Sequence, residues 1–218
     1  MGRITLLHGC MFAQKTTELL RRIRQYKSIG YHVLIVNFFS DQRYGKDCIA
    51  SHDKDSEKAV CIDNLTTLEG IVHNYDVMVI DEGQFFGNLY ECVTRWADEL
   101  PIHIVVAGLS GDSNRNPFGD MLRLIPHAEE IEHLTALCGI CKDGTPAIYS
   151  KRITDETELV TIGGATKVTS APNLVSSKTF DRATRECRTS PTMATRRPVK
   201  SAAPLARCLR IVNASSKA

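Results

Sequence analysis

The 218-residue sequence predicts an α/β fold: a parallel sheet with helices on both faces, followed by a small β module. Two observations carry this reading. Three nearly continuous apolar runs, HVLIVNFF at 32–39, DVMVI at 76–80 and IHIVVAGL at 102–109, have the texture of strands covered on both sides. Segments of helical period stand between them, so strands and helices alternate, as in a parallel sheet built from right-handed crossovers.

Taken in order, RITLLH at 3–8 is a short apolar strand running into Gly9. Leu19, Leu20, Ile23 and Tyr26 recur at helical spacing with Arg21, Arg22, Arg24 and Lys27 between them, and Gly30 ends that helix. The second strand, 32–39, is followed by polar sequence at 40–58 that reads as loop. Residues 65–74 are a short helix, 76–80 the third strand, 90–100 another helix and 102–109 the fourth strand.

After about residue 132 the texture changes. CGICKDGTPAIYSKR at 138–152 holds a CxxC, a turn-like Asp-Gly and a short strand at 147–150. TELVTIGG at 157–164 reads as a strand ending in two glycines. The expected division is therefore an α/β domain at 1–132, a β module at 133–167 and a disordered basic tail at 168–218. The tail holds ten Lys/Arg against two Asp/Glu, a net +8, while 1–167 holds 17 against 23, a net −6.

Composition narrows the function classes. The chain is 43% hydrophobic and 24% charged, enough for one sizeable core. No apolar run reaches the roughly 20 residues of a membrane span. MGRITLLHG does not resemble a secretory signal, so the expected compartment is the cytoplasm, with no membrane partner. Of the eight cysteines, Cys10, Cys48, Cys61, Cys92 and Cys208 read as scattered inert thiols. The tail has a single aromatic, Phe180, and so no stacking platform for nucleic acid, which is not expected as a partner.

Three stretches carry chemistry. GCMFAQKTTELLRRI at 9–23 nearly spells a phosphate-binding loop (P-loop): Gly9, four spacers, Gln14 where a second glycine is wanted, then Lys15 and Thr16. Such a loop wraps backbone N–H groups around a phosphate, reaches its oxygens with lysine and supplies a hydroxyl for Mg²⁺. A plain strand–helix turn with a solvated lysine is the alternative. In VMVIDEGQFF at 77–86, Asp81 ends a buried strand at the sheet edge where parallel sheets bind ligands. Asp81 suits Mg²⁺ and Glu82 suits a general base on a hydroxyl, or the pair is an ordinary turn before a helix. Phe85 and Phe86 are core residues by default, or an aromatic that stacks on a base. Cys138 and Cys141 are half of a zinc site: structural zinc takes four ligands, and no second pair appears at good spacing.

In order along the chain, these motifs, with DQRYG (41–45), SHD (51–53), AGLSGDSNRNPF (107–118), LTALCGIC (134–141), YSKR (149–152) and IGGATK (162–167), resemble the type II thymidine kinase family over residues 3–167. The resemblance implies a P-loop α/β domain, a zinc ribbon with a lasso loop over the nucleoside, and a homotetramer. It implies ATP and thymidine as substrates, with Mg²⁺ and Zn²⁺ as cofactors. By position, the loop of Gly9, Cys10, Met11, Phe12, Ala13, Gln14, Lys15 and Thr16 holds the ATP phosphates. Asp41, Gln42 and Arg43 lie near phosphates and metal. Asp81 and Thr16 serve Mg²⁺, Gly83 and Gln84 complete the nucleotide-binding stretch, and Glu82 takes the 5′-hydroxyl proton. Phe85 and Phe118 line the base pocket, and Leu159, Val160, Thr161, Ile162 and Gly163 offer backbone hydrogen bonds to thymine. Cys138 and Cys141 bind zinc in an incomplete site.

The departures from the family pattern are specific. Gln14 replaces the second glycine, and at φ > 0 a side chain there costs about 1 kcal/mol or more. Cys10 replaces a proline, Asn37 a lysine, and Ser113 an aromatic. After Lys167 the pattern stops: Val168 stands for a tyrosine, and Pro172 and its neighbours for the second zinc pair. The function expected is phosphorylation of thymidine at its 5′-hydroxyl by ATP, impaired by Gln14 and the incomplete zinc site. The alternative is a weak or inactive relative that binds nucleotide or partner subunits.

Overall fold

The computed structural model describes residues 1–39, 48–50, 56–153 and 168–171. The elements in chain order are β1 (Arg3–Gly9), α1 (Lys15–Ser28), β2 (Val33–Phe38), β3 (Cys48–Ala50), β4 (Ser56–Lys58) and β5 (Val60–Ile62). Next come β6 (Val77–Ile80), α2 (Leu89–Glu99), β7 (His103–Leu109), β8 (Glu130–Leu134), β9 (Ala136–Leu137), β10 (Pro146–Ala147), β11 (Tyr149–Arg152) and β12 (Val168–Ala171). Short 3₁₀ turns occupy Leu65–Leu68, Val72–Asn74, Gly83–Phe85 and Met121–His127.

The main sheet has the order β5-β2-β6-β7-β1-β8, and every pairing in it is parallel. Alternation along each strand divides the core between its two faces. Ile4 and Leu6 of β1, Met78 and Ile80 of β6, and Ile104 and Val106 of β7 pack with Leu89, Cys92, Val93 and Trp96 of α2. Leu7, Val77, Val79, Val105 and Ala107 face the other way, onto Leu19, Leu20 and Ile23 of α1. Each of those three α1 side chains is buried, worth roughly 1.5–3 kcal/mol apiece. They hold α1 against the sheet although Gln14, at its N-terminus, makes no side-chain capping bond.

Several expectations change. The polar stretch 40–58 contains β3 and β4, paired antiparallel. The expected helix at 65–74 is two separate 3₁₀ turns, the first capped by Asn64, whose side chain accepts from the Thr66 N–H. The predicted strand at 147–150 is divided into β10 and β11. Val168–Ala171, assigned above to a disordered tail, form β12 and pair with β11. Val168 and Thr169 are β-branched and suit a pleated strand, and Ser170 is buried with its hydroxyl donating to the Leu137 carbonyl at 2.7 Å. The strand expected at 157–164 lies outside the described residues.

A third apolar cluster joins the two parts of the chain. Cys10 and Ala13 of the loop after β1 pack with Ala136, Cys138 and Ala147. The Cys10 thiol donates to the Ala147 carbonyl at 3.4 Å.

Candidate active site

The loop from Gly9 to Gln14 leaves the carboxyl end of β1 and enters α1 at Lys15. Two non-glycine residues in it adopt left-handed backbone, Phe12 (φ 63°) and Gln14 (φ 59°). The expected strain at the second glycine position is therefore present. Gly9 has a packing reason to be glycine: a Cβ there would lie 2.1 Å from the Leu134 carbonyl oxygen of the neighbouring β8. The loop is also tied to β11, because the Met11 N–H donates to the Ser150 hydroxyl at 2.9 Å. The Lys15 ammonium donates to the Cys10 carbonyl at 2.7 Å and so sits within the loop it follows.

The acidic pair lies across β7 from this loop. The Thr16 hydroxyl donates to Asp81 Oδ2 at 2.9 Å, and the Glu82 N–H donates to Asp81 Oδ1 at 3.0 Å. Asp81 is buried, and burial together with the neighbouring Glu82 charge pushes its carboxyl up to about 7. Glu82 is left-handed (φ 52°) and half-buried, and its Oε2 accepts from Gln84 Nε2 at 2.6 Å. Gln84 Oε1 accepts from the Leu109 N–H at the end of β7 at 2.9 Å. The DEGQ segment is thus bonded on one side to the phosphate-type loop and on the other to the central strand.

An aromatic row borders this turn. Phe85 stands edge-on to Phe118, with ring centroids 5.5 Å apart, and leans on Phe38 at 5.3 Å. Phe85 and Phe118 are partly exposed, whereas Phe86 is fully buried in the core. Phe38 was not expected at the site, since its strand run marked it only as core. The Arg115 guanidinium lies 4.0 Å over the Tyr149 ring and joins the loop before Phe118 to β11.

His8 and His133, in register on β1 and β8, stack flat with centroids 4.8 Å apart. His133 is exposed and lies flat against the His8 ring. Burial, His133 and Lys15 hold the His8 imidazole below its ordinary range. Burial also pushes the Cys10 thiol up, which fits an inert thiol.

Oxygen donors at Thr16 and Asp81 suit Mg²⁺, and a buried carboxylate with an elevated pKa gains from a cation beside it. The zinc expectation fares differently. The Cys141 N–H donates to Cys138 Sγ at 3.2 Å. Among the described residues no cluster of three or more His, Cys, Asp or Glu side chains is placed to hold a metal. Cys138 and Cys141 do not form a zinc cage with any described partner. Asp41, Gln42, Arg43 and Leu159 to Gly163 lie outside the described residues.

A parallel sheet with a β1 loop that closes through a hydroxyl on a buried strand-end carboxylate defines a P-loop-like α/β protein. Comparison narrows the class. A family model described as Thymidine kinase matches residues 2–174. The thymidine kinase of Yaba monkey tumor virus (strain VR587) is 41% identical over 166 residues, covering 76% of this chain and 90% of that protein. Those of rabbit fibroma virus (strain Kasza) and monkeypox virus are 40% and 39% identical, covering 76% and 75% of this chain and 91% and 90% of theirs. The chain belongs to the thymidine kinase family and is a kinase. Among the described residues no helix is long and apolar enough to cross a membrane.

Proposed function

We propose that this chain transfers the γ-phosphoryl group of ATP to the 5′-hydroxyl of thymidine, giving ADP and thymidine monophosphate. The observation that carries the proposal is the Thr16–Asp81 hydrogen bond of 2.9 Å, with Glu82 as the next residue. It brings the loop, a metal-type carboxylate and a candidate base to one sheet edge. Phosphoryl transfer needs little covalent chemistry from the protein and rests on positioning and charge stabilisation. The N-terminus of α1 and the Lys15 ammonium stabilise phosphate charge. Thr16 and Asp81 would hold Mg²⁺, which when bound neutralises phosphate oxygens. Glu82 Oε1 or Oε2 accepts the 5′-hydroxyl proton as the oxygen attacks phosphorus. Phe85 and Phe118 hold the thymine ring, and the backbone of Leu159 to Gly163 reads its edge. Asp41 to Arg43 act near the phosphates.

One observation favours a weaker enzyme as the second reading. Gln14 holds a left-handed backbone that glycine adopts without strain, and a side chain stands where the family leaves the loop bare. Assembly as a homotetramer and a cytoplasmic location belong to the same proposal. The test is incubation with γ-labelled ATP and thymidine, deoxyuridine or deoxycytidine in parallel. Label on the 5′-oxygen of thymidine is expected, and its absence with all three nucleosides contradicts the proposal. Light scattering at four chain masses is the expected assembly result.

A further inference from the structure

We propose that Arg115 is a positioning residue for the nucleoside: its guanidinium, seated on the Tyr149 ring, fixes the hairpin that presents Phe118 to the base. The inference rests on the reading of Phe118 as a base contact and adds a residue outside the loops, carboxylates and aromatics assigned above.

Residues 110–118 fold back on themselves. Gly111 and Pro117 form an antiparallel bridge, and the Asp112 N–H donates to the Asn116 carbonyl at 3.0 Å. Asp112 Oδ1 accepts from the Asn114 and Asn116 N–H groups at 2.8 Å each and closes the turn from inside. These bonds set the shape of the hairpin but not its lean against the rest of the fold. Asn114, Arg115, Asn116 and Pro117 are all exposed, so burial does not hold the tip. Phe118 follows this tip directly. Any sway of the hairpin therefore moves its ring relative to Phe85, 5.5 Å away.

Arg115 supplies the restraint. Its backbone is left-handed at φ 70°, a conformation that disfavours any residue carrying a Cβ. Glycine would make this turn without strain, so the strain points to a use for the side chain. That side chain ends with Cζ 4.0 Å from the centroid of the Tyr149 ring, within the range of a cation–π contact. Arginine suits the place, because its flat guanidinium stacks on a ring without being buried. Tyr149 is a fixed platform. It pairs with the buried Ala171 in the β11–β12 ladder. The next residue, Ser150, is buried and accepts the Met11 N–H at 2.9 Å. Successive strand residues face opposite sides, so β11 takes the hairpin at Tyr149 and the phosphate-type loop at Ser150. On the far side of Phe118 the chain is pinned at Gly119 (φ 56°), where a Cβ would lie 2.2 Å from the Gln84 carbonyl oxygen. Phe118 is thus held from before and behind.

Calorimetric titration of the full chain with thymidine and, separately, with ATP and Mg²⁺ tests this. Arg115→Met and Tyr149→Leu should each raise Kd for thymidine by about two- to fivefold, the size of an exposed cation–π contact. Kd for ATP should stay within twofold of wild type. The two changes combined should cost no more than either alone, since each removes the same contact. Tyr149→Phe keeps the ring and should lose less than twofold. A loss there as large as in Tyr149→Leu overturns the stacking. In a Phe118→Ala background Arg115→Met should have no further effect, because Arg115 acts through Phe118. An equal loss with Phe118 absent, a parallel loss of ATP and thymidine affinity, or an unchanged thymidine Kd in Arg115→Met overturns the inference. Wild type and Phe118→Ala separate the two levels. Wild type that binds no thymidine, or Phe118→Ala that binds it as well as wild type, overturns the reading of the base contact and this inference together. Weakened binding in Phe118→Ala with none in Arg115→Met overturns the inference alone.

Discussion

The Thr16 hydroxyl and the Asp81 carboxylate meet at 2.9 Å, joining the first turn of α1 to the residue after β6 with β7 between the two strands. Asp81 is buried and its carboxyl is raised to about 7. The sign of the stability effect follows. The folded chain keeps this proton up to about pH 7, whereas the unfolded chain releases it near pH 4. Ionisation of Asp81 therefore removes stability as pH rises through that window. Asp81→Asn can donate to the Thr16 hydroxyl and still accept from the Glu82 N–H. In magnesium-free buffer it should be more stable than wild type at pH 8, on the order of 2–4 kcal/mol, with the difference gone by pH 4. Urea denaturation at several pH values measures this; an Asp81→Asn protein less stable than wild type at pH 8 contradicts it.

Gln14 at φ 59° gives a second prediction. Gln14→Gly should raise kcat/KM for ATP severalfold and stabilise the fold by up to about 1 kcal/mol, since the left-handed cost outweighs the extra freedom of unfolded glycine. Initial-rate kinetics and thermal melts check both. Unchanged kcat/KM means the loop tolerates glutamine.

Much of this was legible beforehand. The runs at 32–39, 76–80 and 102–109 announce themselves because parallel strands buried on both faces leave no polar alternation. β8 did not: EIEHL at 130–134 is an edge strand with exposed Glu130 and Ile131, and its two glutamates break the continuous apolar texture that marks the inner strands. β12 was hidden by the Ser- and Thr-rich sequence that follows it. At the site, Lys15, Thr16, Asp81 and Glu82 follow from spacing after strands. The roles of Ser150 at the Met11 N–H, Phe38 against Phe85, and Gln84 at Leu109 are contacts between segments distant in sequence, which no local pattern encodes.

The legible glycine had an unread purpose. Gly9 was assigned to phosphate, yet a Cβ there meets the Leu134 carbonyl at 2.1 Å. Gly9→Ala should part β1 from β8 and lower stability by about 2–3 kcal/mol or more. Denaturant midpoints measure it; a midpoint equal to wild type would show that β8 moves aside without cost.

The Phe85–Phe118 pair predicts a selective binding loss. Phe118→Ala should raise KM for thymidine by roughly 10- to 100-fold, as expected for a base–aromatic contact of about 1–3 kcal/mol, and leave KM for ATP near wild type. Equal increases in both KM values would point to disruption of the site rather than loss of a stacking face.

The most direct test is quantitation of ADP and thymidine monophosphate formed by wild type and Glu82→Gln at pH 7.5 with ATP, Mg²⁺ and thymidine. Wild type should produce the two in equal amounts, and Glu82→Gln should be slower by about 10²–10⁴ with little change in KM. No thymidine monophosphate from wild type, or an undiminished rate in Glu82→Gln, would contradict the account.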